Sequence, residues 1–493
     1  METGTSAHSI PNHRGQSASI WPKATAAQPT VPTAFTYYRP NSPYYYLTGA
    51  QQPRARLLGR RRVARGWYLL LRRPICRREG LGVHEASETT VPAQELLVTI
   101  GAGLLAGGIS SVDVEDALTG LAPAVGLKSI NVAALPKGLF LTTGPGSPTR
   151  FERIGPDLRF DQTAKLLDIV DAVRSRRLGI EAASRKIEAE VYGTPPRWPA
   201  WLTYLGALPI GIGLCLLLEP GLINLAFAAF GSLLVAAVLA VNARHPSLGP
   251  LLPVTSAFIV AVLILIGYRL DWLDSPLRTI VATLAVLLPG SAVVTGLTEI
   301  SAGALSAGSS RLVSATVQLA MFIAGVAGAA VATGTGVEAL ANSQLTASTW
   351  WLSALGVAAA TLGLIIYLHT PLEHTVPIVL TIAAAALAQL GIGAEFGAAI
   401  GGLAGALTAS LVAVVLSRLP KGPIWRISFV PAFLVVAPGS FGLLNASQIE
   451  FGDGSGVAGS LLAAGATFFT IAIGTVIGSA IAHAAEPNDE IVA

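Results

Sequence analysis

The chain has 493 residues, 52% of them hydrophobic and only 12% charged, with a formal net charge of +4. Soluble domains carry about a quarter charged residues, so this composition excludes an ordinary globular domain and marks an integral membrane protein. From Trp198 to the end there are seven Lys/Arg against twelve Asp/Glu, so the positive excess lies ahead of the membrane part and points to no nucleic-acid partner.

Residues 1–91 read as a disordered basic tail, rich in Ser, Pro, Tyr and Ala up to position 50 and without the basic-then-apolar order of a signal peptide. Its stretch 54–78 holds ten arginines and no acid. That pattern fits an arm held by anionic lipid, a solvated leader, or a reading frame opened too far upstream.

Residues 92–197 form a soluble α+β module. The spacing predicts helices over 91–108 and 110–127, with Ser110 and Asp113 as a capping pair for the second. A hairpin around Leu135-Pro136-Lys137-Gly138 follows, SPTRFERI adds a third strand, and two more helices occupy 161–178 and 180–192. Thr194-Pro195-Pro196 separates the module from the membrane.

Ten apolar runs follow, near 200–218, 221–241, 251–269, 279–297, 313–333, 350–368, 375–391, 393–416, 427–446 and 457–482. Each is long enough to cross ~30 Å of hydrocarbon, so the fold class is an all-α polytopic membrane protein behind an α+β module. Pro289-Gly290-Ser291 and Pro438-Gly439-Ser440 interrupt the fourth and ninth runs, 149 residues apart. Proline removes a helical donor and glycine weakens the helix, so both spans should break there. The offset groups the runs as five plus five, 198–333 and 350–483, with a linker at 334–349 and a tail at 484–493. Five is odd, so the second copy would enter the membrane inverted, and matched breaks point to a transporter's substrate site.

With the module in the cytoplasm, inner joints contain Arg244, Arg311, Arg418, Lys421 and Arg426, and outer joints only Arg269 and Arg278. The positive-inside rule therefore puts both termini in the cytoplasm.

The most polar part of the core is TEISAGALSAGSSRL (298–312). Glu299 and Arg311 lie twelve residues apart, close to three helical turns, and Ser306 is among the hydroxyls between them. Arg311, or amides freed near Gly290, could take the carboxylate of an amino acid, and Glu299 its ammonium group or a proton. Arg311 could equally be only a span-end marker. Glu395 is a second proton-carrier candidate or a solvated span end. It sits among Gly393, Gly397, Gly401 and Gly405, a stripe that suits close helix packing. His369 and His374 lack a third convincing ligand, the two cysteines (Cys76 and Cys215) make no CxxC site, and no phosphate loop occurs. No metal, cofactor or nucleotide is expected. Nothing ties Ser110, Ser111, Asp113, Glu115 and His84 into a catalytic triad, so the protein is read as no enzyme.

Over about residues 92–483 the chain resembles the threonine/serine exporter family of bacterial inner-membrane proteins. The resemblance rests on LLAGGISSVDVEDAL (104–118), LLPGSAVVTGLTEISAGALSAGSSRL (287–312) and VVAPGSFGLLNA (435–446), in that order. It implies export of threonine and serine driven by the proton motive force. It matches Pro289, Gly290, Arg311, Pro438 and Gly439 to family positions and Glu299 to an expected acid, and Ser291, Ser306 and Ser440 join them as candidate substrate-binding residues. The implied partners are the small amino acid, protons and the bilayer of the cell membrane, with a homo-oligomer also compatible. Asp113 stands where the family often has a basic residue. Relatives with the halves on two proteins include dicarboxylate exporters, which is the alternative within transport. A membrane-anchored hydrolase or sensor is the alternative outside it.

Overall fold

A computed structural model describes residues 90–144, 147–335, 349–419, 422–423 and 425–445, together with 470–471, 473–478 and 480–481. The basic tail, most of the 334–349 linker and the last ten residues lie outside these.

The module opens with α1 (Thr90–Ala106) and α2 (Ser111–Leu121), followed by β1 (Asn131–Leu135), β2 (Gly138–Thr142) and β3 (Arg150–Arg153). Ser110 caps α2, its hydroxyl accepting from the Asp113 amide at 3.2 Å. The strands form an antiparallel meander, with Leu135 facing Gly138 across the Pro136-Lys137 turn. One sheet face buries Leu139 and Leu141 against α1 and α2; on the other, Phe140 and Phe151 stack at 4.7 Å and stay exposed. α3 (Phe160–Arg174) and α4 (Ile180–Lys186) with its π-helical extension Ile187–Tyr192 close the core through Leu166, Ile169, Ile187 and Val191. Burying each such side chain contributes about 1.5–3 kcal/mol.

The membrane part follows: α5 (Ala200–Leu205) and α6 (Ala207–Leu218) as one span, α7 (Leu222–Arg244), α8 (Leu252–Arg269), α9 (Pro276–Leu284), α10 (Gly290–Ser301), α11 (Leu305–Thr333), α12 (Trp350–Tyr367), α13 (Leu372–Phe396), α14 (Ala398–Ser417) and α15 (Trp425–Asn445). Among the described residues seven helices are long and apolar enough to cross a membrane, or eight with α9 and α10 counted as one broken span. α15 is helical over the ninth expected run, and the tenth lies mostly outside the described residues.

The two expected breaks differ. α9 and α10 meet at a 66° bend, whereas α15 continues as helix through Pro438 and Gly439. A proline inside a packed membrane helix forfeits one backbone bond, which neighbouring helices can compensate. The glycine stripe does serve close packing, but across two helices. Gly397, at φ +85°, is the turn between α13 and α14, so Gly393 and Gly401 fall on different helices and face each other. The stripe thus packs α14 against α13, with Gly405 also facing Val436 of α15.

Two backbone approaches recur at a fixed offset. A β-carbon on Gly325 of α11 would lie 2.6 Å from Val254 O and 3.1 Å from Phe258 N of α8. One on Gly474 would lie 2.7 Å from Leu403 O and 3.2 Å from Leu407 N of α14, every residue 149 positions further on. Between α6 and α12 the contact is reciprocal: Gly213 abuts Gly356 O and Ala360 N, while Gly363 abuts Gly206 O and Ile210 N, an offset of 150.

The module rests on the α12–α13 turn. Phe160 N–H donates to Leu368 O at 3.3 Å, and Arg197 Nη1 to Thr370 O at 3.1 Å. His369, in the same turn, shares a 3.0 Å hydrogen bond with Thr203 through Nε2.

Candidate functional site

Pro289 caps α10 at φ −78°, ψ 40°, after an extended Leu288, and this sets the bend. The amide of Gly290 itself donates to Leu288 O at 2.8 Å. Gly290 lies against Phe433 of α15; a β-carbon there would meet the ring at 2.9 Å. Pro289 is buried, while Ser291 is exposed.

α10 ends in a reversal at Gly303, φ +88°, and α11 folds back along it. Gly296 and Gly308 let the two backbones touch, a β-carbon on Gly296 falling 2.9 Å from Gly308 O. That closeness brings Glu299 and Arg311 together, Arg311 Nε donating to Glu299 Oε2 at 3.0 Å. Glu299 is wholly buried, and the Arg311 side chain is 18% exposed.

The other oxygen of Glu299 faces the module. Oε1 accepts both the main-chain N–H and the hydroxyl of Ser111, each at 2.9 Å. Ser111 is the first residue of α2, where amide donors have no intrahelical partner, and the helix end carries partial positive charge. One turn before Glu299, Thr295 accepts from Arg426 Nη2 at 2.9 Å. Arg426 Nη1 reaches Asp113 Oδ2 of α2 at 3.1 Å. The cluster therefore holds two acids and two arginines from α2, α10, α11 and α15. Arg311 Nη2 is buried and has no hydrogen-bond partner among the described residues.

Such a cluster offers a carboxylate able to accept several donors beside a guanidinium able to donate to an anion, the complement of a zwitterion. Sequence reasoning paired Glu299 with Arg311 on one helix face, three turns apart; the fold brings them together instead across the reversal at Gly303, one on α10 and the other on α11. It missed Ser111, Thr295 and Arg426 as their neighbours. Asp113, which departs from the resembled pattern, is answered by the cation Arg426. Ser306 is exposed in the first turn of α11 and takes no part in the cluster. Glu395 is exposed on the last turn of α13, apart from it. Pro438, Gly439 and Ser440 fall in α15, and their side chains are outside the described residues.

A second buried pair lies at the other end of the broken span. Arg278, read from sequence as an outer-joint charge, is fully enclosed and bonded to Glu219 at 2.9 Å. Asn224 Nδ2 donates to the neighbouring Thr279 hydroxyl at 3.1 Å. Of the two histidines beside the α12–α13 turn, His369 hydrogen-bonds Thr203. Burial holds the His369 imidazole below its ordinary pKa, helped by Arg159 and opposed by the Asp161 carboxylate.

Residues 95–333 match the family model ThrE, the threonine/serine exporters, a stretch holding Ser111, Asp113, Thr295, Glu299 and Arg311 but not Arg426. No curated protein and no solved structure matches the chain. Over residues 95–333, the module and the membrane helices up to α11, this chain is similar to the threonine/serine exporter family.

Proposed function

We propose that the protein is a secondary exporter that moves threonine- and serine-like amino acids out of the cell, driven by the proton motive force, with its module in the cytoplasm. The observation that carries this reading is the buried Glu299–Arg311 pair beside the broken α9–α10 span. An acid and a base placed together inside a membrane protein mark a substrate or proton path more often than a structural ornament. Glu299 receives the ammonium group or the coupling proton, and Arg311 the carboxylate. A dicarboxylate would set its own charges against Glu299 and Asp113, so the geometry favours the zwitterion.

The scaffold of this reading is an inverted five-plus-five repeat. It is supported by the 149-residue offset of the Gly325 and Gly474 contacts and by the reciprocal α6–α12 approach, which has the form of a two-fold interface. A cytoplasmic module is supported by charge. Arg278 is consumed by Glu219, which leaves Arg269 as the exposed arginine of the far side among the described residues.

Cells loaded with a threonine-containing dipeptide test the proposal. Deleting the gene should slow threonine efflux, and a proton ionophore should stop the efflux that remains in the parent. Efflux indifferent to the deletion would sink the amino acid assignment, and efflux that survives the ionophore would rule out proton coupling.

A further inference from the structure

The two donors that Ser111 gives to Glu299 have a chemical counterpart. In free serine or threonine the amino nitrogen and the hydroxyl oxygen are joined through Cα and Cβ, as N and Oγ of Ser111 are. Glu299 Oε1 accepts from both at 2.9 Å. We propose that Ser111 is a tethered stand-in for the transported amino acid, so that α2 occupies the ammonium–hydroxyl position beside Glu299 and must withdraw before substrate binds. This inference rests on the exporter reading and adds to it a self-occupied state controlled by the module.

Three further features agree. The N-terminus of α2 presents partial positive charge where the substrate would present an ammonium group. Asp113, two residues on, is held by Arg426, which latches α2 in place. Ser111 cannot imitate the whole substrate, because its carbonyl runs on into α2. The unmatched part is the carboxylate, and Arg311 Nη2 is the buried donor left without a partner among the described residues. A free amino acid therefore displaces Ser111 by offering a full positive charge to Glu299 and an anion to Arg311. An ammonium group adds a charge–charge attraction to the hydrogen bonds that the neutral Ser111 donors already give the carboxylate, which sets the direction of the exchange.

The test uses the full-length protein in liposomes, with initial rates of radiolabelled threonine transport. If the site is self-occupied, apparent affinity is reduced by the fraction of time it is closed. Ser111→Ala keeps the amide and removes the hydroxyl, so the KM for threonine should fall about tenfold with the maximal rate not reduced. A KM that is unchanged or raised would overturn the inference and make Ser111 a structural or substrate-binding residue. Should the alanine variant fail to fold, labelling gives a second reading. In a Cys76→Ser, Cys215→Ala background, Ser111→Cys should react faster with a maleimide when threonine is present. Equal or slower labelling would overturn the proposal. Wild-type protein that moves neither threonine nor serine would remove the exporter reading and this inference together. Wild-type transport with an unmoved KM in Ser111→Ala would remove only the stand-in.

Discussion

Arg278 Nη1 lies 2.9 Å from Glu219 Oε2, with the guanidinium side chain 0% and the carboxylate side chain 7% exposed. Removing one partner of such a pair leaves the other charge buried, at a cost of about 3–5 kcal/mol, whereas replacing both with neutral groups costs far less. Arg278→Ala and Glu219→Ala should each lower the detergent melting temperature sharply. The double change Arg278→Met with Glu219→Gln should recover most of the loss. Equal damage in single and double variants would mean that the pair is not what holds this end of the helices.

At the other end of the broken span, Glu299→Gln and Arg311→Ala should each drop threonine efflux to the level of a deletion strain with the protein still inserted. Arg311→Lys keeps the charge but not the Nε geometry, so it should retain only part of the activity. Membrane fractionation checks insertion and efflux checks function. Normal efflux in both of the first two variants would return the residues to a packing role.

Asp113 and Arg426 should prove coupled. Their side chains are 29% and 9% exposed, so a double-mutant cycle on melting temperature should give a coupling of about 1–3 kcal/mol. Exchanging the charges, Asp113→Arg with Arg426→Asp, should outperform either single change. A coupling near zero would show that the module is held by other contacts.

The α6–α12 crossing depends on absent side chains. Gly213→Val and Gly363→Val both force a branched side chain into backbone, so each should cut the yield of folded protein severely and to a similar extent. Gly328→Ala meets only ordinary contacts, the nearest at 3.6 Å, and should be neutral. Size-exclusion chromatography of solubilised membranes distinguishes these outcomes.

His369 gives the α12–α13 turn a pH dependence. Its pKa is lowered in the folded state, chiefly by burial. The contribution is therefore present above the unfolded value near 6.5 and is lost as pH falls through the lower folded value. Wild-type melting temperature should decline as pH is lowered from about 6.5, and His369→Asn should flatten that decline. Asparagine tolerates the φ of +54° at this position, which keeps the comparison clean.

Local signals carried much of the fold. Period and caps fixed α1 to α4 and the hairpin, because each depends on residues a few positions apart. The first break was equally readable, since an extended Leu288 ahead of Pro289 ends the helix locally. Pro438 carries the same three letters, but its fate depends on how the neighbours of α15 pack, and no local pattern records that. The cluster itself was half legible. Glu299 and Arg311 are separated by twelve residues and share one hairpin, whereas Ser111 reaches Glu299 across 188 residues and Arg426 reaches Asp113 across 313. Ser111 showed only in a helix start and among nucleophiles that nothing tied together, and Arg426 only as one more inner arginine.

The late position of Arg426 has a consequence for synthesis. Asp113, Thr295, Glu299 and Arg311 all leave the ribosome before the chain reaches α12, and until residue 426 is inserted they comprise two acids and one base. The nascent first half therefore carries an uncompensated negative charge at the join between module and bilayer. Its closure waits on the start of α15, so a truncation between α13 and α15 would remove the Arg426 latch on Asp113 and leave the module to its contacts with Glu299 and the α12–α13 turn.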